Sequence, residues 1–368
     1  MRILVMAAGH KRHFWEKLAI NLPSDFEMQL IPIWQRGVPS AREAIWPGEL
    51  YKKAIKFRPD ILMTDWPLMQ SRHLALIRLL TRHRCRLAIH LRGDIWTEMG
   101  VYLGEVSDSL RRRRSLALLS DYVSADLHFR SLNSELKSAD LIMPICHWLE
   151  SQVHAHLDGA RTEVVYQGVD SSTFYEEKGL ELKHPNVGIM QSYNIYPKVK
   201  ALIKFYTVIK RMHNVTFYII AGKSGKIGGQ SCYYEEAEKA LSSLDNVIFL
   251  PNLTYPDEVR RFLSACDIYA LVTGLDCCPT TVLEASLVGR PVIASKVGGV
   301  PELIREGETG FCIDNRQEAD WVNTIERLHG DPKYARTIGL RAREFVARNF
   351  DWHVIGPRVA AIAKTIME

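Results

Sequence analysis

Residues Leu271 to Phe311 read LVTGLDCCPTTVLEASLVGRPVIASKVGGVPELIREGETGF, and this stretch decides the fold. A buried strand ends at Val272, and a loop runs through Gly274 to Cys278. Pro279 is expected at the first helical position, with Thr280 and Thr281 beside it in the first turn. The spacing predicts a helix to about Val288, closed by Gly289, and a second buried strand from Pro291. A helix start offers unpaired backbone N–H groups and the positive end of a dipole, so it suits a phosphate. Glu284 lies one turn inside that helix, where a carboxylate can accept two hydrogen bonds from a vicinal diol such as a ribose. Asp276 stands eight positions earlier, in the loop, within reach of a second part of the same ligand.

Outward from this stretch the same alternation repeats. Short apolar runs at Ile3–Met6, 60–63, 86–90, 140–143 and 163–166 are each followed by a helical pattern. After a polar stretch near 171–184 the series restarts at 187–190, 215–220, 247–250, 267–272, 291–294 and 311–313. Strands alternating with helices of about ten to fifteen residues mean βαβ units and parallel sheets, and continuous apolarity fits strands buried on both faces. The predicted fold class is therefore α/β, with two doubly wound, Rossmann-like parallel-sheet domains facing across a cleft. Residues 1–170 form the N-terminal domain, 171–185 a linker and 186–350 the C-terminal domain, with a helix over 351–368 returning to the first. Ligands of open α/β sheets sit beyond the carboxyl ends of the strands, so the loops there carry the candidate chemistry.

Composition sets the outer bounds. The chain has 368 residues, 47% of them hydrophobic and 24% charged, which excludes disorder, collagen and small disulfide scaffolds. A net charge of +5 over this length is too weak to argue for nucleic acid. The seven cysteines show no C-x-x-C pair, so a reducing, cytoplasmic setting is expected and a structural zinc site is not. No stretch reaches the roughly 18 apolar residues of a spanning helix.

The decisive stretch resembles the nucleotide-sugar-binding motif of family 4 retaining glycosyltransferases, whose fold is GT-B. That motif is an acidic residue, seven residues, a Glu opening an E-A-x-x-x-G-x-P-V run, and then G-G-x-x-E. Asp276, Glu284-Ala285, Gly289 to Val292 and Gly298 to Glu302 stand in those places. The resemblance implies a hexosyltransferase-type enzyme that moves a sugar from a nucleoside diphosphate (UDP-, GDP- or ADP-linked) to an acceptor hydroxyl of a glycan, lipid-linked or small molecule. It implies Glu284 on the ribose, Asp276 on the sugar, and Cys278, Thr280 and Thr281 near the diphosphate. No metal or other cofactor is obligatory in such a scheme, because protein cations and a helix dipole can stabilise the leaving group. Asp276 departs from the usual Glu by one methylene, which shortens its reach to a sugar hydroxyl.

The resemblance extends to other strand ends. Gln191 to Lys200 follows the first C-domain strand, where the family carries an Arg and, five positions on, a Lys that clamp the diphosphate. Lys198 matches the Lys, and Tyr193 replaces the Arg. Tyr166-Gln-Gly-Val-Asp170 with Phe174 is similar to an N-G-V-D-x-x-x-F segment, and on its residues alone it is a turn built on Gly168. His90-Leu-Arg-Gly-Asp94 ends an N-domain strand. By resemblance His90 contacts the donor sugar, and Arg92 and Asp94 are either cleft residues or a structural ion pair. Gly9 ends the first strand in a loop that the family brings near the diphosphate or acceptor. Ala221 to Lys226 lacks the spacing of a P-loop, and no G-x-G-x-x-G follows the first strand, which disfavours a dinucleotide-dependent oxidoreductase.

The positive charge is uneven. Residues 1–170 carry 23 basic and 19 acidic side chains, the remainder 24 and 23. Ten arginines against four acids lie between Gln70 and Ser120, including the run Arg111 to Arg114. Such clusters beside apolar helix faces suit an anionic membrane surface, with the protein peripheral on its cytoplasmic side, and equally an acidic acceptor or plain solvent. Two rival functions share the fold: a catalytically weak nucleotide-sugar-binding or scaffolding subunit, and a sugar-nucleotide epimerase.

Overall fold

The computed structural model describes residues 1–8, 12–33, 47–65, 71–81, 85–113, 116–192, 196–221 and 234–368. Gly9, Tyr193 and the 222–226 segment singled out in the sequence lie outside the described residues. The chain divides into two compact units. Unit one comprises Met1–Leu103, Ser107–Gly168 and Trp352–Glu368; unit two comprises Val169–Asp351 with Gly104–Val106.

Unit one runs β1 (Arg2–Ala8), α1 (Arg12–Ile20), β2 (Glu27–Ile33), α2 (Pro47–Phe57), β3 (Ile61–Thr64), α3 (Ser71–Leu80), β4 (Arg86–Leu91), α4 (Ile95–Arg113), α5 (Leu116–Lys137), β5 (Leu141–Pro144) and α6 (His147–His156). Among the described residues its sheet is five-stranded, in the order β2-β1-β3-β4-β5, and every pairing is parallel. β3 and β5 are buried at every position, as strands covered on both faces must be. Residues 163–166, expected as a strand, run extended beside β5 without joining the sheet. The Glu163 and Val165 N–H groups donate to the Ile142 and Pro144 carbonyls, and only an isolated bridge forms at Thr162.

Unit two continues with β6 (Asn186–Gln191), α7 (Tyr196–Lys204), α8 (Tyr206–Arg211), β7 (Thr216–Ala221), α9 (Tyr234–Leu241), β8 (Val247–Phe249), α10 (Asp257–Ala265), β9 (Ile268–Leu271), α11 (Thr280–Leu287), β10 (Val292–Ser295), β11 (Phe311–Ile313), α12 (Glu318–Gly330) and α13 (Pro332–Asn349). Its six described strands order as β11-β10-β9-β6-β7-β8, all parallel. The strand order reverses between β6 and β9, so the carboxyl ends of these two strands flank the crevice where doubly wound sheets take ligands.

The stretch 171–185, read from sequence as a linker, belongs to unit two and is fastened to it. The Leu180 N–H donates to the Arg261 carbonyl and the Lys183 N–H to the Tyr218 hydroxyl. Glu176 pairs with Arg290 and Arg336, and Glu177 with Arg260. The last helix, α14 (Trp352–Met367), packs into the core of unit one, where Trp352, Ile355, Val359 and Ile362 meet Phe14, Val5 and Met63. Gly168 serves that docking rather than a special turn. A β-carbon there would sit 2.4 Å from the Trp352 indole, so only glycine lets the two segments close. Among the described residues, no helix is long and apolar enough to cross a membrane.

Candidate functional site

The loop after β9 is held open by a buried polar network. The Ser295 hydroxyl, fully buried, accepts the Thr273 N–H at 3.0 Å and donates to Asn315 Oδ1 at 2.6 Å. Asn315 Nδ2 in turn donates to the Thr273 carbonyl at 2.8 Å. These bonds satisfy backbone groups that leave the sheet, so the chain can turn away without stranding buried donors. The Gly299 N–H donates to the Asp276 carbonyl at 3.2 Å and ties the glycine pair of the motif to the same loop.

Three side chains converge there. Asp276 Oδ2 accepts from Gln191 Nε2 at 2.9 Å and lies 3.4 Å from Lys198 Nζ, while Oδ1 accepts the Cys277 N–H at 3.0 Å. Gln191 ends β6, Lys198 sits in the first turn of α7, and Asp276 follows β9, so the pairing straddles the reversal point of the sheet. The Lys198 and Asp276 side chains are only 16% and 14% exposed, which strengthens their attraction relative to a surface pair. Gln191 was not singled out in the sequence. Its signal is a polar residue closing an apolar strand, and its amide is oriented by the Ser192 N–H, which donates to Oε1 at 2.8 Å.

The close approach of α7 to this loop depends on Gly274. A β-carbon at that position would lie 2.3 Å from the Pro197 carbonyl oxygen, and backbone cannot yield as a flexible side chain would. Gly274→Ala is therefore expected to push the first turn of α7 outward and separate Lys198 from Asp276. Thermal unfolding should report a loss of about 1–3 kcal/mol, as for other overpacked sites. Turnover of any donor should fall by at least about tenfold, because small misplacements of positioned groups are costly. Unchanged stability and turnover would mean that the loop relaxes at no cost.

α11 starts one residue later than expected. Pro279 is the N-cap, with φ −66° and ψ 115°, and makes no side-chain capping bond. The first-turn N–H groups of a helix have no intrahelical partner, and here they belong to Thr280 and Thr281. Thr281 Oγ1 is buried with no hydrogen-bond partner among the described residues, and Cys278 is buried just ahead of the helix. At the far end Gly289, with φ 81°, closes the helix as the sequence predicts, and its N–H donates to the Ser286 carbonyl.

Glu284 is 4% exposed in the middle of α11. Burial pushes its carboxyl up to about 7, and a hydrogen bond from the Tyr255 hydroxyl pulls partly the other way. Tyr255 comes from the segment between β8 and α10, and its own pKa is raised by burial and by the Glu284 charge. Its ring lies 5.7 Å from Phe174, the phenylalanine that follows the Gly-Val-Asp segment. No local sequence signal pointed to Tyr255, because Thr254-Tyr255-Pro256 reads as a turn.

In unit one the expected residues divide. His90 is 1% exposed; its ring stacks on Phe14 at 4.7 Å, and Nε2 lies 3.1 Å from the Val165 carbonyl oxygen. The Trp15 ring meets the imidazole edge-on at 5.9 Å. Arg92 is half-buried: its guanidinium donates to Gln167 Oε1 at 2.5 Å and lies 4.7 Å over the Phe14 ring. Asp94 caps α4 by accepting the Thr97 N–H at 3.1 Å.

Residues 172–345 match the family described as glycosyl transferases group 1. The N-acetyl-alpha-D-glucosaminyl L-malate synthase of Bacillus anthracis is 25% identical over 224 residues, covering 58% of this chain and 57% of that protein. A D-inositol 3-phosphate glycosyltransferase of Pseudarthrobacter chlorophenolicus is 32% identical over 139 residues, covering 38% and 32%. The chain thus spans little more than half the length of one of these relatives and a third of the other. Among solved structures, sucrose-phosphate synthase from Thermosynechococcus elongatus superposes with a TM-score of 0.70 over 100% of this chain and 99% of that one, at 15% identity. Anabaena HepE, solved in complex with UDP-glucose, gives 0.67 over 99% and 100%, at 18% identity. The fold is accordingly of the GT-B type, with two Rossmann-like parallel-sheet units.

Proposed function

We propose that this chain is a retaining glycosyltransferase of family 4, transferring a hexose from a nucleoside-diphosphate sugar to an acceptor hydroxyl. The observation that carries the reading is the convergence of Lys198, Asp276 and Gln191 beside the start of α11, with Glu284 buried in the same helix. In this reading Glu284 receives the ribose diol, and the Thr280–Thr281 turn and Lys198 face the diphosphate. Asp276, steadied by Gln191, takes a sugar hydroxyl. The bond from the anomeric carbon to the phosphate oxygen breaks, its electron pair leaving on the diphosphate. The acceptor oxygen forms the new bond, and its proton ends on phosphate. Charge on the departing diphosphate is what Lys198 and the helix dipole stabilise. The match of residues 172–345 to the glycosyl transferases group 1 family supports transfer chemistry, and the UDP-glucose complex of HepE favours UDP as the first donor to try.

On the acceptor side we assign Arg92, at the end of β4, as the polar contact, with His90 a positioning residue that holds the strand end from the core. The sequence expectation of a peripheral membrane site also gains a surface. α5 exposes Leu119, Val123 and Leu127 at four-residue spacing, and Arg111 near the end of α4 is exposed. Replacing the three apolar residues together by Ser should weaken sedimentation with vesicles containing phosphatidylglycerol by severalfold at low salt. Equal sedimentation of both proteins would retire the membrane assignment.

The function itself is tested by incubating the protein with UDP-, GDP- and ADP-sugars and following release of free nucleoside diphosphate. Slow release from one donor, with the anomeric configuration kept in the product by NMR, is the expected result. Binding without release, even with acceptors supplied, would favour the scaffolding role. Inversion would overturn the retaining assignment.

A further inference from the structure

Arginines in unit one differ in what holds them. Arg78 and Arg86 both reach Asp140, at 3.2 and 3.3 Å, and so belong to the ion pairs of the sheet itself. Arg2 and Arg58 have no side-chain hydrogen bond or ion pair among the described residues, and both line one cavity of about 560 Å³. Ile55, Pro59, Asp60, Leu80 and Thr81 complete its lining. The cavity lies within unit one at the amino ends of β1 and β3, the edge opposite to the one where open sheets take ligands. Backbone fixes the strand ends around it. The Arg2 N–H donates to Asp60 Oδ2 at 2.7 Å, the Asp60 N–H to the Arg2 carbonyl at 2.8 Å, and the Arg86 N–H to the Asp60 carbonyl at 2.9 Å. The Thr81 hydroxyl donates to the Ile77 carbonyl at 2.8 Å, so the side-chain donors left in the lining are the two guanidinium groups, against one carboxylate.

Arg58 carries a second signal. Among the described residues it is the only non-glycine residue at positive φ, 51°. The turn has a structural reason, since the Arg58 N–H closes α2 on the Ala54 carbonyl at 3.0 Å. Such a closing position favours Gly or Asn, and the proline that follows pushes its predecessor toward extended backbone. An exposed arginine therefore holds a conformation that glycine adopts without steric cost, which points to a use for its side chain.

We propose that Arg2 and Arg58 form a site for the phosphate of an amphiphilic phosphate ester, whose apolar part lies against Ile55 and Leu80. A guanidinium matches a phosphate with two parallel hydrogen bonds. Ile55 and Leu80 are 46% and 43% exposed, so apolar surface remains to be covered beside the charge. Lys52, exposed one turn before Ile55 on α2, adds positive charge on the same helix face. A soluble ester and a phospholipid headgroup offer this same chemistry, and the test separates them. The site is independent of the nucleotide reading of unit two.

The test titrates inorganic phosphate and hexyl phosphate calorimetrically into wild type, Arg2→Gln, Arg58→Gly and Lys198→Met. Hexyl phosphate is expected to bind wild type roughly five- to twentyfold more tightly than phosphate, because its chain covers the apolar lining. Each arginine substitution should weaken hexyl phosphate by about tenfold or more. Arg58→Gly relieves the left-handed backbone and should melt no lower than wild type, so its loss of binding cannot come from unfolding. Lys198→Met should bind hexyl phosphate as wild type does. No binding of either probe, or equal binding by wild type and both arginine variants, overturns the proposal. So does a loss confined to Lys198→Met, which would place the phosphate at the start of α11. Equal affinity for the two probes would overturn the amphiphilic ligand. Sedimentation of wild type, and of neither arginine variant, with phosphatidylcholine vesicles containing phosphatidic acid would support the site with a lipid as its source. Hexyl phosphate binding without sedimentation would support it with a soluble ester.

Discussion

Lys198→Met is expected to lower donor turnover by roughly a hundred- to a thousandfold, the usual cost of removing one group that stabilises developing charge. Methionine keeps the length and the apolar stem, so the first turn of α7 should stay in place. Affinity for the intact donor should fall much less, because the ammonium matters most when the leaving diphosphate gains charge. The substitution also leaves Asp276 with Gln191 and the Cys277 N–H as partners, so the carboxylate remains hydrogen-bonded. Steady-state release of nucleoside diphosphate, with a parallel titration of the free diphosphate, separates the two effects. An unchanged turnover number would remove Lys198 from the reaction.

The second large effect is a pH dependence with opposite signs for stability and binding. Glu284 has a carboxyl raised from 4.5 to about 7, chiefly by burial. Because the folded value lies above the unfolded one, the folded chain holds the proton more tightly. That stabilisation is fully present below about pH 4.5 and is lost as pH rises through about 7. The span corresponds to roughly 3 kcal/mol for a single group. Glu284→Gln cannot titrate, so its unfolding temperature should exceed wild type at pH 8 by roughly 6–12 °C and lose that advantage near pH 5. Nucleotide affinity should move the other way in wild type, strengthening from pH 6 to pH 8 as the carboxylate becomes the charged acceptor that a diol prefers. Parallel melting curves for the two proteins across this window would remove Glu284 as the source of the dependence.

How far the sequence carried depended on how local each signal was. The stretch from Leu271 to Phe311 was legible because its features lie within one strand-loop-helix-strand unit: a loop acid, a helix start, a buried Glu and a closing glycine with φ 81°. β2 escaped because it is an edge strand. Met28, Gln29 and Leu30 are only half-buried and Pro32 lies in the run, so it lacks the continuous apolar pattern of its neighbours. Residues 163–166 misled for the converse reason. They are apolar because they lie against β5 and lead to the Gly168–Trp352 contact, not because they join the sheet.

The site shows the same division. Asp276 and Lys198 meet because β6 and β9 are neighbours, a fact of topology that the motif spacing alone did not contain. Gln191 and Tyr255 are recognised by what they touch, Asp276 and Phe174, and both partners lie far away in the chain. Strand-end position did not tell which neighbours His90 meets, and here its ring stacks on Phe14 in unit one.

The most direct measurement is a calorimetric titration of UDP, GDP and ADP into the full chain, repeated with Glu284→Gln. The account predicts that one of the three binds at a single site, and that the substitution weakens it by roughly thirtyfold or more, the scale of a charged, doubly bonded acceptor. Failure of all three to bind, or equal binding by the variant, would contradict a nucleotide site on α11.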